Sequence, residues 1–157
     1  MTPQPVRSSH TGMLIRRPVV TVYEAFVDPA VTTRFWFTHG SGRLDAGKPV
    51  EWRWAMYDVA VTVTPKAIEP GRRILIEWPG DPEPRTVEWL FESVGEDATF
   101  VRITENGFTA SGAELVSQVA DSTGGFTLAL AGAKAFLEHG IELNLVADRF
   151  PKGLAGQ

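Results

Sequence analysis

The chain has 157 residues, 43% hydrophobic and 22% charged, a composition typical of a single globular domain. It contains no cysteine, which excludes disulfides, thiolate metal sites and cysteine nucleophiles, and favours a reducing, cytoplasmic compartment. The net charge is −4 and no run of basic residues is present, which argues against nucleic acid or an anionic membrane as partner. The N-terminus is not signal-like and no apolar stretch is long enough to span a membrane.

Two short helices are predicted near the N-terminus. After an extended segment at residues 10–15, apolar side chains at helical spacing indicate a helix over residues 19–27. Asp28 can then cap a second helix and Pro29 suits its first turn, because proline lacks the N–H that would be unpaired there. We expect this second helix to end near Trp36.

The middle of the chain alternates apolar and polar residues, which predicts five antiparallel strands with one dry and one wet face. Short turns rich in glycine and proline separate them. The predicted strands cover residues 50–57, 59–64, 73–78, 86–92 and 99–106. By alternation, the dry face carries Trp52, Trp54, Met56, Val61, Ile76, Trp78, Trp89, Ile103 and Glu105.

Helical spacing returns in the last third of the chain. It begins over residues 115–120, has a weak point at Gly124 and Gly125, and strengthens from residue 126 to a C-cap at Gly140. The stripe of this helix that is expected to face the sheet contains Phe126, Leu130, Ala133 and Leu137. The tail over residues 141–150 is expected to pack back onto the domain.

A sheet with one dry face must cover that face, and the long C-terminal helix is the only predicted element that can do so. We therefore predict an α+β fold in which a curved antiparallel sheet wraps around this helix. Residues 10–157 are expected to form the single domain, and residues 1–9, rich in proline and polar residues, a loose arm.

Tryptophans are concentrated on the dry face. Each one alone is explained as core, but indoles are seldom fully buried and need a partner for the N–H. Small residues on the facing helix leave space, so we predict an apolar cavity between sheet and helix. The residues predicted to line it are Trp36, Trp52, Trp54, Met56, Val61, Ile76, Trp78, Trp89, Ile103, Glu105, Phe126, Leu130 and Ala133.

Four stretches of the chain can be compared with known families: VYEAFVDPAVTTRFW (22–36), EPGRRILIEW (69–78), TFVRITENGF (99–108) and GGFTLALAGAKAFLEHGIELNL (124–145). Together they resemble the START-like superfamily, also called SRPBCC, in the polyketide cyclase-like branch related to the activator of the heat-shock chaperone ATPase. The resemblance implies a helix-grip fold with a hydrophobic cavity between the sheet and the long helix. Members of the superfamily bind lipids, sterols, hormones or polyketides, and some catalyse cyclisation or hydration.

Glu105 departs from that resemblance, because relatives often carry histidine at this place in TENGF. Alternation puts Glu105 on the inner face, where burial raises the pKa of a carboxyl group unless a cation or hydrogen-bond donors meet it. It is therefore the candidate general base or ligand anchor; a solvated carboxylate at the strand end is the competing interpretation. His39, in a glycine-rich loop, is a second candidate at the cavity mouth.

Three functions remain open from the sequence. We favour binding of a small hydrophobic molecule, lipid-like, aromatic or polyketide-like, because no catalytic constellation is present. The alternatives are a cavity enzyme of cyclase or hydratase type using Glu105 with His39, and a co-chaperone-like module that docks another protein. No metal, phosphate-loop or dinucleotide motif is present, so no cofactor is expected, and a homodimer stays open.

Overall fold

The computed structural model describes residues 7–154 as one seven-stranded antiparallel sheet with four α-helices. The strands are β1 (Ser8–Ile15), β2 (His39–Gly40), β3 (Val50–Trp54), β4 (Val59–Glu69), β5 (Arg73–Trp78), β6 (Arg85–Ser93) and β7 (Thr99–Asn106). The helices are α1 (Val19–Val27), α2 (Pro29–Thr32), α3 (Gly112–His139) and α4 (Leu145–Arg149). Among the residues described, no helix combines the length and apolarity needed to cross a bilayer.

The sheet has the strand order β1-β7-β6-β5-β4-β3-β2, so the five predicted strands form a meander and β1 joins it at the β7 edge. A register shift between Pro65 and Ala67 interrupts the pairing of β4 with β5. Such a bulge bends a strand and increases its twist, which helps the sheet curve around α3. Buried residues of α3 join the core formed by the inner face, and the predicted fold class is confirmed.

The N-terminal elements differ from the prediction in their bounds. β1 begins at Ser8, so Ser8 and Ser9, which are predicted to belong to the loose arm, instead pair with Asn106 and Glu105 in the sheet. Residues 1–6 of that predicted arm lie outside the described part of the chain. Helix α2 ends at Thr32, four residues early, and the chain continues in hydrogen-bonded turns that bury all three aromatic side chains of residues 35–37.

Strand β3 ends at Trp54, three residues before its predicted end. Residues Ala55–Tyr57 form a 3-10 turn, and Asp58 adopts a left-handed conformation with φ of 51°. The alternation that placed Met56 beside Trp54 on the dry face therefore stops, and the Met56 side chain is exposed. The predicted inner position of Met56 is wrong.

Helix α3 passes without a break through Gly124 and Gly125, where the sequence had indicated a weak point. A β-carbon added to either glycine would meet no atom within 4 Å beyond the adjoining residues and the backbone of its own helix, so packing does not require glycine there. The helix ends at Gly140, whose left-handed φ of 66° matches the predicted C-cap. The glycine pair leaves open space beside the first half of α3.

The C-terminal end of α3 is tied to the end of β1 through Glu138. Its carboxylate accepts hydrogen bonds from the Arg16 backbone N–H at 2.8 Å and from Lys134 Nζ at 2.6 Å. Lys134 also donates to the Leu14 carbonyl at 2.8 Å. Burial alone would raise the pKa of Glu138, but the bonds from Arg16 and Lys134 outweigh it and hold this pKa below its ordinary value.

Glu138→Gln should therefore lower the free energy of unfolding by about 1–2 kcal/mol at neutral pH, because charge-assisted hydrogen bonds are lost. A depressed folded-state pKa means that the wild-type advantage is complete above the unfolded value near 4.5 and disappears as the pH falls through the folded value. Urea unfolding across that acidic range measures it. Glu96→Gln, at an exposed turn position, is the control, and a pH-independent difference between wild type and Glu138→Gln would contradict the assignment.

Candidate functional site

A cavity of about 870 Å³ lies between the inner face of the sheet and the first half of α3. Strands β4 and β5 contribute Val61 and Trp78, and β3 contributes Trp54. On the helix side the glycine pair and Phe126 line the space. From Phe126 onwards the apolar stripe of α3 belongs to the packed core, where Ala129, Leu130 and Ala133 are fully buried.

The wall nearest the core is made of aromatic rings centred on Trp36. Its ring lies 5.8 Å from Trp54 and 5.7 Å from Phe126, measured between centroids. Trp78 stacks on Phe126 at 5.7 Å with an interplanar angle of 28°. Offset and edge-to-face contacts of this kind hold rings in fixed orientations, so this wall is rigid and presents flat apolar surfaces to the cavity.

The structure divides the residues that we predicted from the sequence to line the cavity into two groups and one exception. Those on the cavity wall are Trp36, Trp54, Val61, Trp78, Glu105 and Phe126. Those at most 2% exposed and buried in the core behind the wall are Trp52, Ile76, Trp89, Ile103, Leu130 and Ala133. The exception is Met56, which is exposed and off the wall. Alternation identified the correct face of each strand but did not distinguish the cavity wall from the core behind it.

Glu105 lies at the polar end of the cavity and is 3% exposed. One carboxylate oxygen accepts a hydrogen bond from Trp78 Nε1 at 2.7 Å and the other from Ser122 Oγ at 2.6 Å. Ser122 is also within 2.5 Å of the buried Ser9 hydroxyl on β1. The predicted inward direction of Glu105 is confirmed, and the two donors meet the requirement that a buried carboxylate be hydrogen-bonded.

Arg85, at the start of β6, also lines the cavity and was missed by the sequence analysis. Its guanidinium lies over the Phe108 ring, 4.1 Å from the centroid, and donates to Gln118 Oε1 at 3.0 Å. Its buried Nε has no hydrogen-bond partner among residues 7–154. Alternation could have found it, because Arg85 shares the parity of Val87 and Trp89, but we began the predicted strand one residue later, at Thr86.

The last part of the chain returns over the cavity. Val146, Phe150 and Leu154 line it, and the Tyr57 hydroxyl donates to the Val146 carbonyl. The Tyr57 ring also meets Phe150 edge-on at 6.1 Å. The predicted return of the tail onto the domain is confirmed, whereas the helix α4 within it was not predicted.

His39 does not belong to this site. It lies in the two-residue edge strand β2, is exposed and does not line the cavity. His39 is therefore not placed to act together with Glu105, as the enzyme interpretation of the sequence had it. Within the described chain, no group of three or more histidine or acidic side chains is arranged to hold a metal ion.

The sequence matches one family profile, and several solved structures share the fold. The sequence profile described as Activator of Hsp90 ATPase homolog 1-like protein matches residues 16–138. Among solved structures, a protein of Staphylococcus saprophyticus is 29% identical, with 87% of this chain and 95% of the other covered and a TM-score of 0.75. A search of curated proteins gave no match.

Two more distant structures share the fold. The Aha1 dimer from Colwellia psychrerythraea is 17% identical, with 86% of this chain and 98% of the other covered and a TM-score of 0.72. DynU16, from the dynemicin biosynthetic locus, is 22% identical with a TM-score of 0.77. The alignment covers 88% of this chain but 49% of DynU16, so this chain spans about half the length of that protein.

Proposed function

The chain belongs to the family of activator of Hsp90 ATPase homolog 1-like proteins, and on that premise we propose that it binds a small hydrophobic molecule in the cavity. The resemblance recognised in the sequence is thereby confirmed at the level of the family. The observation that carries the proposal is the space of about 870 Å³ beside the aromatic wall. Pockets for small molecules are typically about 300–1,000 Å³ and mostly apolar, with a few placed polar groups.

The wall favours flat ligands. Trp36, Trp54, Trp78 and Phe126 present ring faces and edges, on which an aromatic or conjugated molecule can stack. Glu105, with further lone pairs on both oxygens, can accept a hydrogen bond from a ligand hydroxyl or amine. The origin of DynU16 in a biosynthetic locus makes aromatic polyketide-like compounds a reasonable first set to test. A cytoplasmic location is part of the proposal.

The family name also suggests a docking function of co-chaperone type, which would need an exposed apolar patch. The outer face of the sheet instead carries ion pairs, with Arg73 Nε 2.7 Å from Glu88 and Lys66 3.9 Å from Glu77. We therefore place the function in the cavity.

The Aha1 protein was solved as a dimer. Light scattering of the purified protein tests whether this chain forms a corresponding homodimer.

The cavity is tested by filling it at the glycine pair. The uncharged dye N-phenyl-1-naphthylamine should bind wild type saturably, brightening its own emission and quenching tryptophan. Gly125→Trp should lower this affinity at least tenfold, because the indole enters open space on the cavity side of α3. Its fold should be as stable as wild type or more so, since glycine inside a helix costs roughly 0.5–1 kcal/mol relative to alanine.

Val116→Trp is the matched control, because Val116 lies on the same helix, is 69% exposed and does not line the cavity. It adds the same indole to the protein and should leave dye affinity within about twofold of wild type. Dye binding that is unsaturable, or that is equally strong in Gly125→Trp, would refute ligand binding at this site. Thermal unfolding by circular dichroism establishes that each variant is folded.

A further inference from the structure

We propose that the cavity selects aromatic ligands that carry an acidic group, ionised at neutral pH, and that Arg85 holds this group. The inference rests on the proposed function, because it names the class of molecule that the cavity binds. It starts from Arg85 itself, a permanently charged side chain on the inner face of the sheet and on the cavity wall. Charges in such places are normally paired or bound to a ligand.

The partners that Arg85 has within the protein do not neutralise it. Gln118 is an uncharged acceptor, and the Phe108 ring offers its face. Within residues 7–154, no carboxylate oxygen lies within 4 Å of the Arg85 guanidinium nitrogens. The hydrogen bond to Gln118 uses one of the five N–H donors of the guanidinium, so the planar fork retains donors for an incoming anion.

Glu105 does not fill this role, although it lines the same cavity. Both of its oxygens already accept hydrogen bonds, from Trp78 and from Ser122, and these two donors partly compensate its charge. Arg85 has one neutral hydrogen-bond acceptor, Gln118, and the face of the Phe108 ring. The cavity lining therefore includes a guanidinium with unused donors and a carboxylate whose two oxygens are already hydrogen-bonded, which favours an anionic ligand group at Arg85.

The position of Arg85 relative to the aromatic wall sets the ligand class. Arg85 is the register partner of Trp78 across β5 and β6, and Trp78 stacks on Phe126 in the wall. A molecule bound against these rings thus has the guanidinium at one end. A carboxylate, sulfonate or acidic enol on an aromatic body fits both features, since arginine binds planar oxyanions through two parallel hydrogen bonds.

The test uses two dyes that differ by one acidic group. 8-Anilinonaphthalene-1-sulfonate has the skeleton of N-phenyl-1-naphthylamine with an added sulfonate. Arg85→Met should weaken binding of the sulfonate dye by about tenfold to a hundredfold, the range expected when a hydrogen bond to a charged group is lost. The same variant should lose clearly less affinity for the uncharged dye, which has no acidic group to pair with Arg85.

Arg102→Met is the control for net charge, because Arg102 is exposed on the outer face of the neighbouring strand β7. It should leave the affinity for both dyes unchanged. Arg85→Lys keeps the positive charge and replaces Arg85→Met in the test if the methionine variant does not fold. Because lysine lacks the planar fork, Arg85→Lys should bind the sulfonate dye with an affinity between those of wild type and Arg85→Met.

The outcomes separate the two proposals. If the uncharged dye binds saturably and Gly125→Trp removes that binding, but Arg85→Met changes the two dyes equally, the cavity binds ligands and the role of Arg85 is refuted. If neither dye binds saturably to wild type, both proposals fail together. A selective loss of the sulfonate dye in Arg85→Met, absent in Arg102→Met, supports the acidic ligand class.

Discussion

Trp89→Ala is expected to lower the free energy of unfolding by about 3–5 kcal/mol, the usual loss when a large core ring is truncated. The Trp89 ring is 1% exposed and lies 6.3 Å from Phe26 and 6.1 Å from Phe126 between centroids. A loss of this size is a large part of a total stability of about 5–15 kcal/mol. Urea unfolding followed by far-ultraviolet circular dichroism measures it without depending on tryptophan emission.

Trp54→Ala is the matched variant, because Trp54 is only half-buried and faces the cavity. It removes the same side chain but leaves less void in the packed core, so its loss of stability should be clearly smaller. Its affinity for the uncharged dye should fall instead. Equal losses of stability in the two variants would contradict the division between core and cavity wall drawn here.

Glu105→Ala should produce the second large effect, a loss of about 2–4 kcal/mol in the free energy of unfolding. Hydrogen bonds to charged groups contribute about 1.5–3 kcal/mol each, and the carboxylate accepts two of them, from Trp78 and Ser122. The loss stays below their full sum because Ser122 can turn its hydroxyl to Ser9. Glu92→Ala, exposed on the outer face of β6, should change stability by no more than about 0.5 kcal/mol.

Glu105→Gln then distinguishes a binding protein from an enzyme, because the amide keeps the size of the side chain and one acceptor oxygen but cannot accept a proton. For a binding protein, we expect weaker affinity for ligands that donate a hydrogen bond, with no turnover of any compound tested. Turnover that is present in wild type and lost in Glu105→Gln at unchanged affinity would establish the enzyme interpretation instead. Unchanged stability and affinity would show that Glu105 is not an anchor.

Alternation within each strand was enough to predict the sheet and the inner direction of Glu105. Residues 101, 103 and 105 must share one face of a regular strand, and all three side chains are buried as expected. Helical spacing likewise identified the stripe of α3 that packs on the sheet. These properties depend on neighbours a few residues apart in the sequence, which is why the sequence reveals them.

Which residues of the inner face line the cavity, and which lie in the core, could not be predicted in this way. Trp52 and Trp54 have the same parity, yet Trp52 lies in the core, stacked on Phe37, whereas Trp54 lies on the cavity wall. Parity does not report such contacts between residues that are distant in the sequence. The hydrogen bonds of Glu105 also come from distant parts of the chain, since Ser122 follows Glu105 by 17 residues and Trp78 precedes it by 27. Arg85 was missed for a smaller reason, a strand boundary placed one residue late.

The glycine pair in α3 makes cavity size adjustable independently of the rest of the fold. A β-carbon at residue 124 or 125 would enter open space, and both residues line the cavity, so larger side chains there are expected to reduce its volume. Nearly every such replacement also favours the helix, because glycine has a poor helix propensity. A laboratory selection for thermostability alone would therefore be expected to close the cavity, whereas a selection on graded ligands would retain glycine at these positions for the largest ones.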